Sequence, residues 1–263
     1  MRRILNATTG TGGGQGRAPG SPSLDAPALD AIAAYDLVAP GYAELSGRRR
    51  AYLDSVDMEI SRRVPSGAAS LIDVGAGDGR RALHIAGRAG ISRVVLVEPS
   101  EGMRRLIPAG VEVWDVRMET LPDARREFDV VLCLWNVLGH VPSRELRVAA
   151  LRNLRRMCSA GGLIFLDVIN RYNVAECGVG AVLRRFLSSH GGDVPVTWRT
   201  DAGEVETRGH VFTAREMEKL FGEAGLRKVE RIVLSYRTGR REAWALAGNL
   251  LYVLRPINSA EPI

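Results

Sequence analysis

Short apolar runs alternate along the chain with stretches whose apolar residues recur at helical spacing. Residues 70–74, 93–97, 111–114, 130–134 and 163–168 are apolar almost throughout, the pattern of strands buried on both faces of a sheet. Residues 80–89, 101–107 and 143–158 carry the helical period between some of them. Strands joined by helices predict a parallel sheet covered on both sides. Upstream, Leu29, Ile32 and Leu37, then Tyr52, Leu53, Val56, Met58 and Ile60, follow helical spacing, and turn chemistry closes that section at 61–67.

After Asn173 the rhythm changes. A short helical piece is expected around 182–187, and residues 194–200 and 204–212 read as a hairpin across Asp201-Ala202-Gly203. Thr213 is placed as an N-cap, with Glu216 completing a capping box, for a helix that ends near Gly225. Residues 228–236 and 249–254 supply the last two strands. The expected fold is α/β: a Rossmann-like, seven-stranded, mostly parallel sheet with helices on both faces, an N-terminal helical cap and a lid insertion after the fifth strand. One domain over 28–257 is expected, made of the cap (28–64), the core (68–170), the insertion (171–212) and the end of the core (213–257). Residues 1–27, rich in Gly, Pro, Ser and Ala, read as a disordered tail, because they bury too little to offset their ordering entropy.

Composition adds mostly exclusions. The net charge is +6, but Lys219 and Lys228 are the only lysines and the arginines are spread along the chain. No basic block interleaved with aromatics marks a nucleic-acid surface. Cys133, Cys158 and Cys177 form no CxxC pair and no Cys/His cluster, so neither a disulfide framework nor a metal site is expected. No apolar run approaches signal-peptide or membrane length, which makes the cytoplasm the expected compartment.

The chemistry is concentrated at Gly75-Ala76-Gly77-Asp78-Gly79, between a buried strand and a helix. Glycines let the backbone approach a ligand at a helix N-terminus. Glu98, at the end of the next strand, stands where such a sheet offers a carboxylate to ribose hydroxyls. The spacing is G-x-G-x-G, and Asp73 and Asp78 flank and enter the loop. Two carboxylates repel a pyrophosphate and suit a cationic ligand.

The segments Leu71-Ile72-Asp73-Val74-Gly75-Ala76-Gly77-Asp78-Gly79-Arg80 and Val97-Glu98-Pro99-Ser100-Glu101-Gly102-Met103 resemble the first two motifs of class I S-adenosylmethionine-dependent methyltransferases. The likeness continues through Phe128-Asp129-Val130-Val131-Leu132-Cys133 and Gly161-Gly162-Leu163-Ile164, covering roughly residues 68–170. A narrower likeness, over 132–141, is to glycine N-methyltransferase and related small-molecule N-methyltransferases. The resemblance implies S-adenosyl-L-methionine held by Asp73, Gly75, Ala76, Gly77, Glu98, Pro99, Met103 and the Leu134 backbone. It implies adenine at Arg117 and Met118, where the superfamily more commonly has an acidic residue; Asp115 supplies that contact if the loop is shifted. It implies Arg48, beside Tyr52, on the cofactor carboxylate, and Asn136 and His140 on the substrate side.

His140 and His210 are the candidate bases, His140 alternatively capping a helix. His84 reads as structural and His190 as a surface residue. Arg171 and Tyr172, at the carboxyl end of the fifth strand, are candidate substrate contacts, and Trp135, Trp198 and Trp244 belong to a pocket or to the core. The function expected is methyl transfer to a nitrogen or oxygen of a small molecule, with a homodimer left open. A nucleotide-binding oxidoreductase, an RNA or protein methyltransferase and a fold that only binds are the alternatives.

Overall fold

The structure, a computed structural model, describes residues 28–122, 127–187, 191–200 and 203–257. The expected disordered tail and His190 lie outside these residues. Three helices lead in: α1 (Ala31–Val38), α2 (Tyr42–Gly47) and α3 (Arg50–Ser61). Then β1 (Ser70–Val74), α4 (Arg80–Ala89), β2 (Arg93–Val97), α5 (Glu101–Arg104), β3 (Glu112–Trp114), β4 (Phe128–Cys133), α6 (Arg144–Met157) and β5 (Cys158–Val168) build the parallel part of the sheet. After β5 come α7 (Val174–Cys177), α8 (Val179–Leu187) and a hairpin of β6 (Asp193–Thr200) and β7 (Gly203–His210). The chain finishes with α9 (Ala214–Ala224), β8 (Leu226–Leu234) and β9 (Asn249–Pro256).

The seven-stranded sheet has the order β3-β2-β1-β4-β5-β9-β8, and only β9 runs against its neighbours. Alternate residues feed opposite faces, as strand geometry requires. On β4, Val131 and Cys133 pack with α6 and α9 residues such as Leu151, Leu154 and Phe221, while Val130 and Leu132 pack with Tyr52, Val56 and Ile85 of α3 and α4. The order reverses between β1 and β4, so the crevice beyond their carboxyl ends is where this topology places a ligand. The hairpin stands apart as a two-stranded sheet. It is joined to the N-terminal helices by the Leu29–Thr207 bridge and by the packing of α1 on β7.

Local chemistry explains the boundaries. The capping box of Thr213 and Glu216 forms as expected. Helix α5 stops at Arg104 rather than at residue 107: the amides of Leu106 and Ile107 donate to the carbonyls three residues back, at Met103 and Arg104, so the end tightens into 3-10 turns. Strand β5 begins at Cys158, earlier than expected. Phe128 pairs with Cys158 and Val130 with Leu163, so residues 159–162 bulge out of register. The hairpin strands end at Thr200 and His210, and α8 begins at Val179, before the expected helical piece. His84 is exposed on α4 and has no structural role in the core.

Candidate active site

At the carboxyl end of β1 the amides of Gly75 and Ala76 donate to the Val97 carbonyl at 2.8 and 3.0 Å. This ties the glycine loop to β2. Gly77 has φ +60°, and a Cβ there would lie 3.1 Å from the Tyr42 hydroxyl. Tyr42, at the start of α2, therefore closes over the loop. Glu98 accepts from the Gly77 amide at 2.8 Å and from the Ser100 amide at 2.9 Å. Burial raises its pKa to about 7, against the pull of those two N–H groups. Asp73 is buried, its Oδ1 has no partner, and burial raises it to about 7 as well, with Arg81 opposing and Asp57 and Asp78 reinforcing.

Two cavities open at this end of the sheet. The first, some 790 Å³ and partly open to solvent, is lined by the glycine loop, Glu98, Pro99, Arg117, Met118, Leu134 and Val137. The second, some 840 Å³, lies toward the hairpin and is lined by Arg48, Arg49, Asn136, Trp198, His210 and Tyr236, among others. Tyr35, Tyr42, Trp135 and His140 belong to both linings and form their common wall.

The expected site residues divide between these spaces. Gly75, Gly77, Glu98, Pro99, Arg117, Met118 and Leu134 line the first cavity. Arg48, Asn136 and His210 line the second, and His140 lines both. Asp73, Ala76, Met103, Arg171 and Tyr172 line neither. Met103 is fully buried under the loop, its Cε 3.3 Å from where a Gly77 Cβ would stand. Arg171 and Tyr172 hold α8 instead. Arg171 donates to the Arg185 carbonyl at 2.7 Å, and the Tyr172 ring packs against Phe186. Asp115 pairs with Arg104 at 2.7 Å and lies off the lining, whereas Glu119, unremarked in the sequence, is on it. Arg117 is bound to Asp30 at 2.8 Å, pinning the segment after β3 to the start of α1.

Arg48 pairs with Glu44 at 2.6 Å. Tyr52 is not beside the cavity: it is buried and donates to Asp167 Oδ1 at 2.5 Å. Arg49 takes the place beside the chamber, stacked 4.2 Å over the Tyr236 ring and paired with Glu176 at 3.2 Å.

The turn after β4 is strained. Trp135 and Asn136 have φ of 55° and 65°, the only positive values for non-glycine residues among those described. Asp167 holds the turn by accepting the Trp135 amide on Oδ2 at 3.0 Å and the Asn136 amide on its carbonyl at 2.9 Å. The Asn136 side chain donates to the His210 carbonyl at 3.1 Å and accepts from the Ile169 amide at 3.0 Å. Its polar groups thus tie β4, β5 and β7 together. Gly139 lies under that bridge, where a Cβ would come within 2.2 Å of Asn136 Nδ2 and 2.5 Å of the His210 carbonyl.

The two histidines differ. His210 contacts Asp193 through Nδ1 at 2.5 Å and Glu216 through Nε2 at 2.8 Å. Both ring nitrogens are engaged by carboxylates, so it clamps the hairpin to α9. His140 Nε2 meets the Tyr35 hydroxyl at 3.3 Å, and its Nδ1 makes no hydrogen bond. Burial lowers its pKa to about 4, with the Arg208 carbonyl and Asp30 offsetting only part of that. The ring is neutral near pH 7. Tyr35 and Trp198 pack around it, with ring centroids at 5.4 and 6.1 Å. Trp135 and Trp198 line the second cavity, and Trp244 is exposed.

Sequence reasoning did not find Tyr35, Tyr42 or Arg49. The tyrosines are seven positions apart, a same-face spacing, but Pro40-Gly41 interrupts the helical pattern between them. Among the described residues no group of three or more His, Cys, Asp or Glu could hold a metal ion, and no helix is long and apolar enough to cross a membrane.

A family model described as a methyltransferase domain matches residues 43–231. A ubiquinone biosynthesis O-methyltransferase of Xylella fastidiosa is 32% identical over 136 residues, covering 48% of this chain and 53% of that protein. The chain thus spans about half the length of this curated relative. A sugar N-methyltransferase of Streptoalloteichus superposes with TM-score 0.56 at 21% identity, over 92% of this chain and 99% of that one. An amino pentose methyltransferase of Micromonospora echinaspora, solved with S-adenosylmethionine bound, gives TM-score 0.53 at 21% identity, over 81% and 96%. At these identities the structural likenesses speak to the fold alone. The family match, covering most of the chain, and the glycine-loop crevice at the sheet's switch point agree: the chain belongs to the methyltransferase domain family, within the class I S-adenosylmethionine-dependent superfamily.

Proposed function

We propose that this protein transfers the methyl group of S-adenosylmethionine to an oxygen or nitrogen of a small molecule held in the chamber beside the hairpin. The observation that carries this reading is the common wall. Tyr35, Tyr42, Trp135 and His140 line both the glycine-loop cavity and the second chamber, so a methyl donor in one would meet an acceptor in the other. The O-methyltransferase and sugar N-methyltransferase named above act on atoms of these two kinds, as their names state.

The residues fit the donor. It carries a sulfonium, with an ammonium and a carboxylate at its methionine end, and no phosphate. Asp73 offers a buried, unpartnered carboxylate oxygen beside the glycine loop. Glu98, held by two backbone amides, keeps lone pairs for ribose hydroxyls, and Met118, Leu134 and Val137 give the apolar surface a purine needs. The sulfonium methyl is already activated, so alignment and exclusion of water supply most of the acceleration. Residues 28–64 and 171–212 would act as cap and lid: α1 and the hairpin enclose the chamber, and Trp198 reaches the wall from β6. Neutral His140 would accept a proton from the acceptor, while His210 would hold the lid.

Incubating the protein with methyl-labelled S-adenosylmethionine and a metabolite extract tests this directly. Label in a small-molecule fraction is expected. Label only in added RNA or protein would support the macromolecular alternative instead.

A further inference from the structure

Strand β5, helix α3 and the turn after β8 all reach Trp135. From their meeting we propose that Tyr52 and Tyr236 are positioning residues for the transfer: they fix Trp135 in the wall between the two cavities, and with it the separation of methyl donor and acceptor. The inference rests on the methyltransferase reading and adds to it two residues that act through a third.

Trp135 stands in the linings of both cavities. Its φ of 55° is one that a non-glycine residue keeps only where its surroundings impose it. Asp167 of β5 is buried and divides its carboxylate between two donors. Oδ2 accepts the Trp135 amide at 3.0 Å, and Oδ1 accepts the Tyr52 hydroxyl at 2.5 Å. Tyr52, from α3, thereby sets the rotation of the carboxylate that holds the turn. At the other end of the residue the indole N–H donates to the Tyr236 hydroxyl at 3.2 Å. The backbone and the ring of Trp135 therefore depend on separate tyrosine hydroxyls.

Tyr236 is itself placed by close packing. It lies in the turn after β8, where the Gly239 amide donates to the Ser235 carbonyl at 2.8 Å. Gly239 has φ +71°, and a Cβ there would clash with the Ala51 carbonyl oxygen and Ser55 Oγ. Glycine lets the turn lie directly on α3. This brings the Tyr236 ring edge-on to the Tyr52 ring, with centroids 4.9 Å apart. Both tyrosines are buried, so water does not readily replace either hydroxyl.

The wall matters because in-line displacement needs the attacking atom, the methyl carbon and the sulfur aligned. A misplacement of about 1 Å can cost roughly a hundredfold in rate. An indole free to swing changes what separates the cavities, while the glycine loop and Glu98 still line the donor side. Loss of either hydroxyl is therefore expected in the transfer step more than in donor binding.

Tyr52→Phe and Tyr236→Phe each keep the ring and remove the hydroxyl. With saturating methyl-labelled S-adenosylmethionine and a metabolite extract as acceptor source, each should lower the initial rate of small-molecule labelling at least tenfold. S-adenosylhomocysteine affinity should stay within threefold of wild type by calorimetry, with the thermal melt as the control for folding. A double-mutant cycle separates positioning from general loosening. In a Trp135→Phe background, which has no indole N–H, Tyr236→Phe should change the rate less than twofold, whereas Tyr52→Phe should still lower it through the backbone. Trp135 fluorescence, taken as the difference between each protein and its Trp135→Phe counterpart, should be more accessible to acrylamide in Tyr236→Phe. A wild-type rate in either variant, an affinity loss as large as the rate loss, an undiminished effect of Tyr236→Phe in the Trp135→Phe background, or unchanged quenching of Trp135 would each overturn the inference while leaving the methyltransferase reading intact. No S-adenosylhomocysteine binding, or no labelling, by wild type would instead bring down the reading on which it rests.

Discussion

Asp73 and Glu98 are carboxylates that burial brings to a pKa of about 7, so near neutrality each is partly protonated. A cationic methyl donor favours their charged forms and lowers both values, so binding releases protons. Affinity should therefore rise as pH increases through about 7, level off above it, and weaken toward pH 5.5. Calorimetry in two buffers of different ionisation enthalpy reads the proton release, and Asp73→Asn should reduce it. The two candidate bases separate by the same kind of reasoning. His140→Gln should lower kcat by at least tenfold with little change in the melt. His210→Gln breaks two hydrogen bonds to carboxylates in a buried setting and should cost about 3 kcal/mol of stability, with the pH dependence of transfer unchanged. An unchanged melt with altered pH dependence in His210→Gln would reverse these roles. The occupation of both His210 nitrogens was not legible in the sequence, because Asp193 and Glu216 reach it only once the hairpin and α9 are docked.

The elements most readable in the sequence are those whose local chemistry and tertiary packing agree. The glycine loop, the α9 capping box and the buried runs of β1, β4 and β5 formed as their residues dictate, whereas the run at 111–114 became the edge strand β3, with no fully buried residue. The start of β5 moved for a non-local reason: it begins early because Cys158 finds Phe128 across a bulge. The turn between β4 and α6 was legible as a site segment but not as a strained one. Its positive φ values at Trp135 and Asn136 depend on Asp167, a residue of the neighbouring strand. Asn136→Ala would keep the strain and lose both side-chain hydrogen bonds, leaving the buried His210 carbonyl and Ile169 amide unpaired. A loss of about 3 kcal/mol is expected by chemical denaturation. Gly139→Ala should cost about 2 kcal/mol by overpacking the same bridge. If either variant melts with the wild type, the turn is not held in this way.

At the scale of the molecule, the sheet carries the donor's crevice at its switch point, and elements outside the sheet make the second chamber. Helix α1 brings Tyr35, α2 brings Tyr42 and the turn after β4 brings Trp135 and His140, so the common wall joins segments distant in sequence, and the hairpin adds Trp198 to the second chamber. This is why the donor site could be read from a motif and the acceptor site could not. Ligand at a hundredfold excess over its dissociation constant should add about 2.7 kcal/mol to the stability of the folded chain, visible as a higher melting temperature. The central claim, that the Gly75–Gly79 loop and Glu98 form the methyl-donor site, is tested most directly by titrating wild type and Gly77→Arg with S-adenosylmethionine in a calorimeter. One-to-one binding by wild type, absent from a folded Gly77→Arg, is the predicted result. No binding by wild type, or equal binding by the variant, would contradict it.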